Sequence, residues 1–393
     1  MFSSKINKIW QETDVLLQET RNQPAGHLSP NLISSDLMAA LQLLTVRPEI
    51  ENDLFAEIIE RSAELKRTEF NNSIFAIVPL YSTSICVEQC TYCNYRVGNV
   101  RLNVERTRLT DDELRQEATF LIKEKGLKVI ELVYATDPRV RADEMCRQVE
   151  AVKTCLEKDG GGLVGINAEA LEVDEYRRLR DAGLEFAVLW QETYDRDRYR
   201  EVHPGKTKKT NYEFRLDAFE RMYEAGIEHI GMGVLSGLAD WRQEWAVLMQ
   251  HEEYLKQNYG RPVSILGIPR LKPADGATLK NTSFIPSRDE FRLAIATHNI
   301  YSPETMAFVN TREDWDLCVD ISAGGGVLFT FNCSTIPGGY SLGHRGYQFP
   351  TFSYDALTFG QAISSCNLKP IFAWDFNDIA RMVEERQLAY TGA

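Results

Sequence analysis

Residues 84–93 read SICVEQCTYC and place three of the chain's eight cysteines, Cys86, Cys90 and Cys93, within eight positions. Thiols gathered so closely point to metal ligation. Three thiolates can hold three irons of a cubane iron–sulfur cluster and leave the fourth iron open to another ligand, and cluster cysteines are often spaced this tightly. Structural zinc is the alternative. It normally takes four ligands, and none of the six histidines, His27, His203, His229, His251, His298 and His344, lies near the loop in sequence. Spacing alone does not name the metal. The remaining cysteines, Cys146, Cys155, Cys318, Cys333 and Cys366, stand singly, and in a reducing compartment each reads as a small buried hydrophobe.

The elements around the cluster say where such a site would sit. Short apolar runs with β-branched residues recur at 75–81, 128–134, 162–167, 186–190, 229–236, 263–269, 306–311 and 327–332, each of strand length. Between them lie amphipathic stretches with helix starts, including the capping boxes Thr110 to Glu113 and Ser287 to Glu290. Strands alternating with helices imply parallel pairing through right-handed crossovers. Eight such units suggest an α/β fold of the closed (β/α)8, TIM-type barrel kind over residues 71–340. An open doubly wound sheet is the alternative, but the first strand runs into the cysteines rather than into a Gly-rich turn. Barrel enzymes carry their chemistry in the loops at the C-terminal ends of the strands, and the cluster begins five residues after Tyr81. Residues 1–70 read as a helical extension expected to cap the barrel, and 341–393 as a tail of about one strand and one or two helices.

Composition narrows the partners. Hydrophobic residues are 44% and charged residues 26%, enough for an ordinary core, and 44 Lys and Arg against 57 Asp and Glu give a net charge of −13. No basic run with interleaved aromatics is present, so the footprint of a nucleic-acid binder is missing and a small-molecule partner is expected. The N-terminus has no continuous apolar region and no run is long enough to span a membrane. A cytoplasmic protein without a membrane partner is the expectation.

The pattern CxxxCxxC, with Tyr92 before its last cysteine, resembles the signature of the radical S-adenosylmethionine enzymes. In that superfamily the open iron of a [4Fe–4S] cluster chelates S-adenosylmethionine, and an electron, ultimately from a low-potential donor, cleaves it to a 5′-deoxyadenosyl radical. A closer resemblance runs from about residue 75 to 340, through IVPLYSTSIC, LWQETYDRDRYREVHP, FRLDAFERMYEAGI, GMGVLSGLADWRQE, GIPRLKPA, NTRE and PGGY in order. It is similar to the branch containing 2-iminoacetate synthase, the tyrosine lyase of hydrogenase maturation and the tryptophan lyase that makes methylindolic acid. Members cleave the side chain of an aromatic amino acid after the radical removes a hydrogen from its amino nitrogen.

The resemblance assigns expectations residue by residue. Cys86, Cys90 and Cys93 would hold the cluster, with Tyr92 beside the cofactor. Glu192, at the end of the fourth strand, would meet ribose hydroxyls or an ammonium, and Arg215 would pair with the methionyl carboxylate, against a reading as an exposed helix arginine. Gly233 and Gly237, with Gly231 nearby, would let the backbone approach adenine, although a tight barrel corner explains them nearly as well. Arg312 matches an arginine that holds the substrate carboxylate, against a reading in which it pairs with Glu313 or Asp314. Tyr81 would stand near the substrate, and Arg270 could serve either ligand. Two departures matter. Relatives have Gly-Glu after the second strand where this chain has YATDP, so Thr136 and Asp137 would substitute in holding the methionyl ammonium. After the eighth strand tyrosine-using relatives have Ser-Ala-Gly-Ser where this chain has TFNC, residues 330–333. Thr330 and Asn332 are therefore expected at the substrate, with Phe331 and Asn332 shrinking or repolarising the pocket. A lyase of an aromatic amino acid follows from the resemblance. The rivals are the same chemistry on a smaller or non-aromatic amino acid, and a zinc-stabilised barrel that binds a ligand without catalysis.

Overall fold

The computed structural model describes residues 1–22, 36–101, 105–354 and 356–379. The eight apolar runs form β1 (Ser73–Thr83), β2 (Val129–Tyr134), β3 (Leu163–Asn167), β4 (Phe186–Glu192), β5 (His229–Val234), β6 (Ile265–Gly267), β7 (Met306–Val309) and β8 (Leu328–Thr330). They pair in parallel in the order β2-β3-β4-β5-β6-β7-β8-β1, and β1 pairs with β2 to close the barrel. Both expected capping boxes are formed and start the helices Asp111–Lys125 and Arg288–Tyr301. A ninth strand from the tail, β9 (Lys369–Ile371), runs parallel to the start of β1, with Ser73 opposite Lys369. That is why β1 has 11 residues: its beginning serves β9 and its end, from Val78 to Thr83, serves β2.

The barrel interior is layered. Near the N-terminal ends of the strands it is apolar, with Ile77, Val129, Leu163, Phe186, Val188 and Ile265 in one cluster joined by Trp374 and Ile379 of the tail. Trp374 packs against Phe75 at 5.3 Å between ring centroids and donates a 2.8 Å hydrogen bond to the carbonyl of Ala76. Phe376 stacks on His229 at 3.6 Å. The tail thus plugs one end of the barrel and leaves the other for chemistry. Trp374→Ala should cost about 3–5 kcal/mol, the usual loss for a large buried aromatic, read as a lowered denaturant midpoint.

The N-terminal segment lies elsewhere than expected. Helices α1 (Ile6–Arg21), α2 (Leu37–Leu43) and α3 (Asn52–Phe70) pack along the outer helices Trp241–Tyr259 and Arg288–Tyr301 rather than over a barrel end. Buried polar ties fix them there: the Lys66 ammonium donates to the carbonyl of Gly326 at 2.7 Å, and Arg242 Nε to that of Leu44 at 3.0 Å. Each of the three helices turns apolar residues, such as Leu17, Leu41 and Ile58, into the core shared with those two ring helices. Residues 23–35, 355 and 380–393 of the expected extension and tail lie outside the described residues.

Candidate active site

Each strand sends a side chain or backbone edge into one cavity at the C-terminal end: Tyr81, Glu131, Asn167, Glu192, Val234, Gly267, Phe308 and Thr330, in strand order. It takes in about 1470 Å³ of space, the open solvent at its mouth included. Two tail residues, Gln348 and Phe349, line it as well, so a domain boundary at residue 340 would part the cavity from two of its walls.

Cys86, Cys90 and Cys93 form one wall, in the loop after β1. Cys86 Sγ accepts a hydrogen bond from the backbone N–H of Glu88 at 3.4 Å and another from that of Thr136. Cys93 Sγ accepts from Gln348 Nε2 at 3.5 Å. N–H donors aimed at sulfur support thiolate ligands and tune an iron–sulfur cluster. Burial pushes the Cys86 thiol up to about 11, and it raises Cys90 and Cys93 as well. Thiols held protonated by burial ionise when a metal supplies the positive charge. Among the described residues no three His, Cys, Asp or Glu side chains are gathered closely enough to hold a single metal ion, whereas a cubane spreads its three cysteines over three irons. Three thiols with N–H donors aimed at two of them fit a [4Fe–4S] cluster. Cys333 also lines the cavity, on the β8 side, where the hydroxyls of Thr311 and Thr330 hydrogen-bond its sulfur. It is not the plain core residue its isolation in sequence implied.

Facing the thiols is a buried charge network. Glu192 ends β4 in a left-handed conformation, φ +74°. Its Oε1 lies 3.1 Å from the Lys209 ammonium and 3.7 Å from the Arg215 guanidinium. Burial by itself would raise the Glu192 pKa, but these two cations outweigh it and hold the carboxylate below its usual range. Arg215 is not an exposed helix arginine: it is 4% exposed, bonds Glu169 at 2.7 Å, and donates to the carbonyl of Trp190 at 3.0 and 2.6 Å. Much of its fork is thereby engaged in holding the network. Tyr92 lines the cavity and sits 2.7 Å from His203 Nε2. Because His203 Nδ1 lies 2.9 Å from the Tyr199 carbonyl, which only accepts, the proton is on Nδ1 and the Tyr92 hydroxyl donates to Nε2. Sequence reasoning missed Glu169 and Lys209. Glu169, two residues past β3, sits where barrel chemistry is expected; Lys209 is one of three lysines in HPGKTKKT with nothing to single it out.

Several expected residues are placed otherwise. Asp137 is consumed by Arg108, at 2.8 and 2.5 Å, and by the Thr83 hydroxyl at 3.0 Å, and it does not line the cavity, whereas Thr136 does. Gly233 and Gly237 are also absent from the lining. A Cβ on Gly233 would overlap the Gly267 carbonyl at 1.5 Å, and Gly237 has φ +114°, so the barrel and its turn account for both. Arg270 grips Glu313 with two donors, one at 2.9 Å, and gives a third to the Pro286 carbonyl. It supports the site from behind. Phe331 packs outward with Phe329, Phe359 and Phe372, and Asn332, in a turn at φ +50°, does not reach the cavity. The pocket is therefore not narrowed by either; the small side chains of Thr330 and Cys333 face it instead.

Tyr81 and Arg312 face the cavity as expected. The Tyr81 hydroxyl donates to Gln348 Oε1 at 2.8 Å. Arg312 stacks on Phe349, 3.4 Å from the ring centroid. Neither acid proposed to pair with it does so: Glu313 is held by Arg270 and Lys272, and Asp314 by Arg288. Its Nε is buried without a hydrogen-bond partner, and burial lowers its pKa from the usual guanidinium value. A cation in a cavity wall, with no carboxylate beside it among the described residues, is poised to receive one.

Residues 80–248 match the family model described as the Radical SAM superfamily. The 2-iminoacetate synthase of Salmonella typhimurium (strain LT2) is 27% identical over 361 residues, covering 89% of each chain. That of Escherichia coli (strain K12) is 28% identical over 327 residues, covering 81% of this chain and 83% of the other. Among solved structures, the FeFe-hydrogenase maturase HydG from Carboxydothermus hydrogenoformans superposes with a TM-score of 0.84 at 27% identity, over 95% of this chain and 85% of that one. The match to the Radical SAM superfamily model, residues 80–248, takes in the loop that gathers the three thiols and the end of the strand before it.

Proposed function

We propose that the protein is a radical S-adenosylmethionine lyase that cleaves or rearranges the side chain of an aromatic amino acid. Its cofactors are a [4Fe–4S] cluster and S-adenosylmethionine, which when bound supply a 5′-deoxyadenosyl radical at the expense of one electron from a low-potential donor. The chain's own residues then have separable tasks. Cys86, Cys90 and Cys93 hold the cluster. Glu192 has one oxygen on Lys209 and offers the other to the cofactor's hydroxyls or ammonium, while Arg215 and Glu169 keep it in place. Lys209 and the free part of the Arg215 fork face an anionic cofactor group. Phe349 and the tail around Gln348 narrow the mouth, which keeps water from the reacting atoms.

The observation that carries the substrate assignment is Arg312. Arg312 is half-buried, with its Nε buried and unpartnered; a guanidinium drawn this far from water costs stability, and an amino acid's carboxylate would complete it. Tyr81 borders the same space and would lie along the bound side chain. The similarity to 2-iminoacetate synthase, together with an aromatic-lined cavity that Phe331 does not fill, favours an aromatic side chain over a small one. No helix among the described residues is long and apolar enough to cross a membrane, and the net charge of −13 suits a small-molecule substrate in the cytoplasm better than nucleic acid. The experiment is to incubate the reduced, reconstituted protein with S-adenosylmethionine and each amino acid in turn. Turnover with tyrosine or tryptophan, releasing a side-chain fragment, is expected; turnover only with non-aromatic amino acids would refute the aromatic assignment.

A further inference from the structure

The chemistry above leaves the carboxyls of two cavity acids unused, that of Glu88, which the Thr207 hydroxyl meets, and that of Glu131. Glu131 stands in the middle of β2, in register with Pro79 of β1 and Gly165 of β3. It lines the cavity, yet only 4% of it is exposed. One carboxyl oxygen accepts a 2.9 Å hydrogen bond from Asn167 Nδ2. The other has no hydrogen bond, and no cation pairs with the group among the described residues. Burial is the main influence on it and pushes the carboxyl up to about 7, with Asn167 pulling the other way. An acid in this position is costly to the folded chain unless something meets it.

What would meet it follows from the surroundings. Glu131 lies just above the apolar plug, two residues along β2 from Val129, while Arg312 stands beyond the end of β7, at the mouth. Between these depths the walls are flat and apolar, with Trp190 perpendicular to Phe308 at 6.5 Å. Thr330 and Cys333 add little bulk. Given an amino acid whose carboxylate sits on Arg312, a ring between those walls would turn its far edge to the open oxygen of Glu131. Resting on the reading of this cavity as an amino-acid site, we propose that Glu131, set in place by Asn167, is the specificity-determining acceptor for a hydrogen-bond donor on the substrate ring, selecting a phenol O–H or an indole N–H over bare phenyl. A lysine ammonium fits less well, because it brings three donors and no flat face to a single open carboxylate oxygen.

Isothermal titration of the anaerobically reconstituted protein with tyrosine, tryptophan, phenylalanine and lysine tests this. Tyrosine or tryptophan should bind about 10- to 100-fold more tightly than phenylalanine or lysine, because a buried acceptor left unmet is penalised. Glu131→Leu should bring the preferred amino acid and phenylalanine to near parity, with iron content and S-adenosylmethionine binding unchanged. Glu131→Gln, which keeps the shape and an acceptor oxygen, should retain part of the preference. Equal binding of tyrosine, tryptophan and phenylalanine by the unaltered protein, an undiminished preference in Glu131→Leu, or a preference for lysine would each overturn the role given to Glu131 while leaving an amino-acid site in place. Failure of all four to bind would overturn the amino-acid reading itself, and Glu131's role with it.

Discussion

Cys86→Ala, Cys90→Ala and Cys93→Ala are each expected to abolish stable cluster binding and S-adenosylmethionine cleavage. Three thiolates are the fewest that hold a cubane while leaving one iron open. Cys333 cannot deputise, since it is on the β8 side and its sulfur is committed to Thr311 and Thr330. Iron and sulfide analysis of the anaerobically reconstituted variants checks this, and an active, stable cluster in any of the three would exclude the assignment. Cys146→Ala, Cys155→Ala and Cys366→Ala serve as controls. All three positions lie outside the cavity lining, and their iron content should match that of the unaltered protein.

Arg312→Ala is expected to weaken amino-acid binding by about 2–5 kcal/mol, the usual loss when one partner of a desolvated charged pair is truncated. The carboxylate would otherwise leave water with nothing to meet it, because the other cations near the mouth are spoken for: Arg270 and Lys272 by Glu313, and Arg215 by Glu169 and Trp190. Cluster content and S-adenosylmethionine affinity should barely change, since Arg312 touches neither the thiol wall nor the Glu192 network directly. Arg312→Lys should recover only part of the loss, because an ammonium cannot make a two-pronged contact or stack on Phe349 in the same way. Titration with the preferred amino acid decides. Undiminished affinity in Arg312→Ala would show that the guanidinium does not hold the carboxylate.

Much of this was legible in the chain itself. The eight strands announce themselves as β-branched runs bounded by helix starts, and the thiol spacing points to metal ligation, while the choice of a cluster over zinc rests on more than spacing. What sequence could not show was commitment. Asp137 and Arg270 sit at positions where ligand contacts are expected, but Arg108 and Glu313, 29 and 43 residues away, claim them first. Conversely, Arg312 is available only because both neighbouring acids turn to other cations. Phe331 and Asn332 were misplaced for a local reason: β8 ends at Thr330, and the left-handed Asn332 breaks the alternation that would have put the pair in line with the pocket. Glu131 was open to notice, as a lone acid inside the apolar run VIELVY, where half of a barrel strand's residues must face inward.

The most direct test is the isotopic content of 5′-deoxyadenosine formed by the reduced protein with S-adenosylmethionine and tyrosine or tryptophan in D2O. The amino hydrogens exchange with solvent and the carbon-bound ones do not. Amino-acid-dependent 5′-deoxyadenosine that has gained one deuterium is expected if a substrate anchored at Arg312 presents its amino nitrogen to the radical. Formation of 5′-deoxyadenosine that does not respond to any aromatic amino acid, or none at all from a protein with an intact cluster, would contradict it.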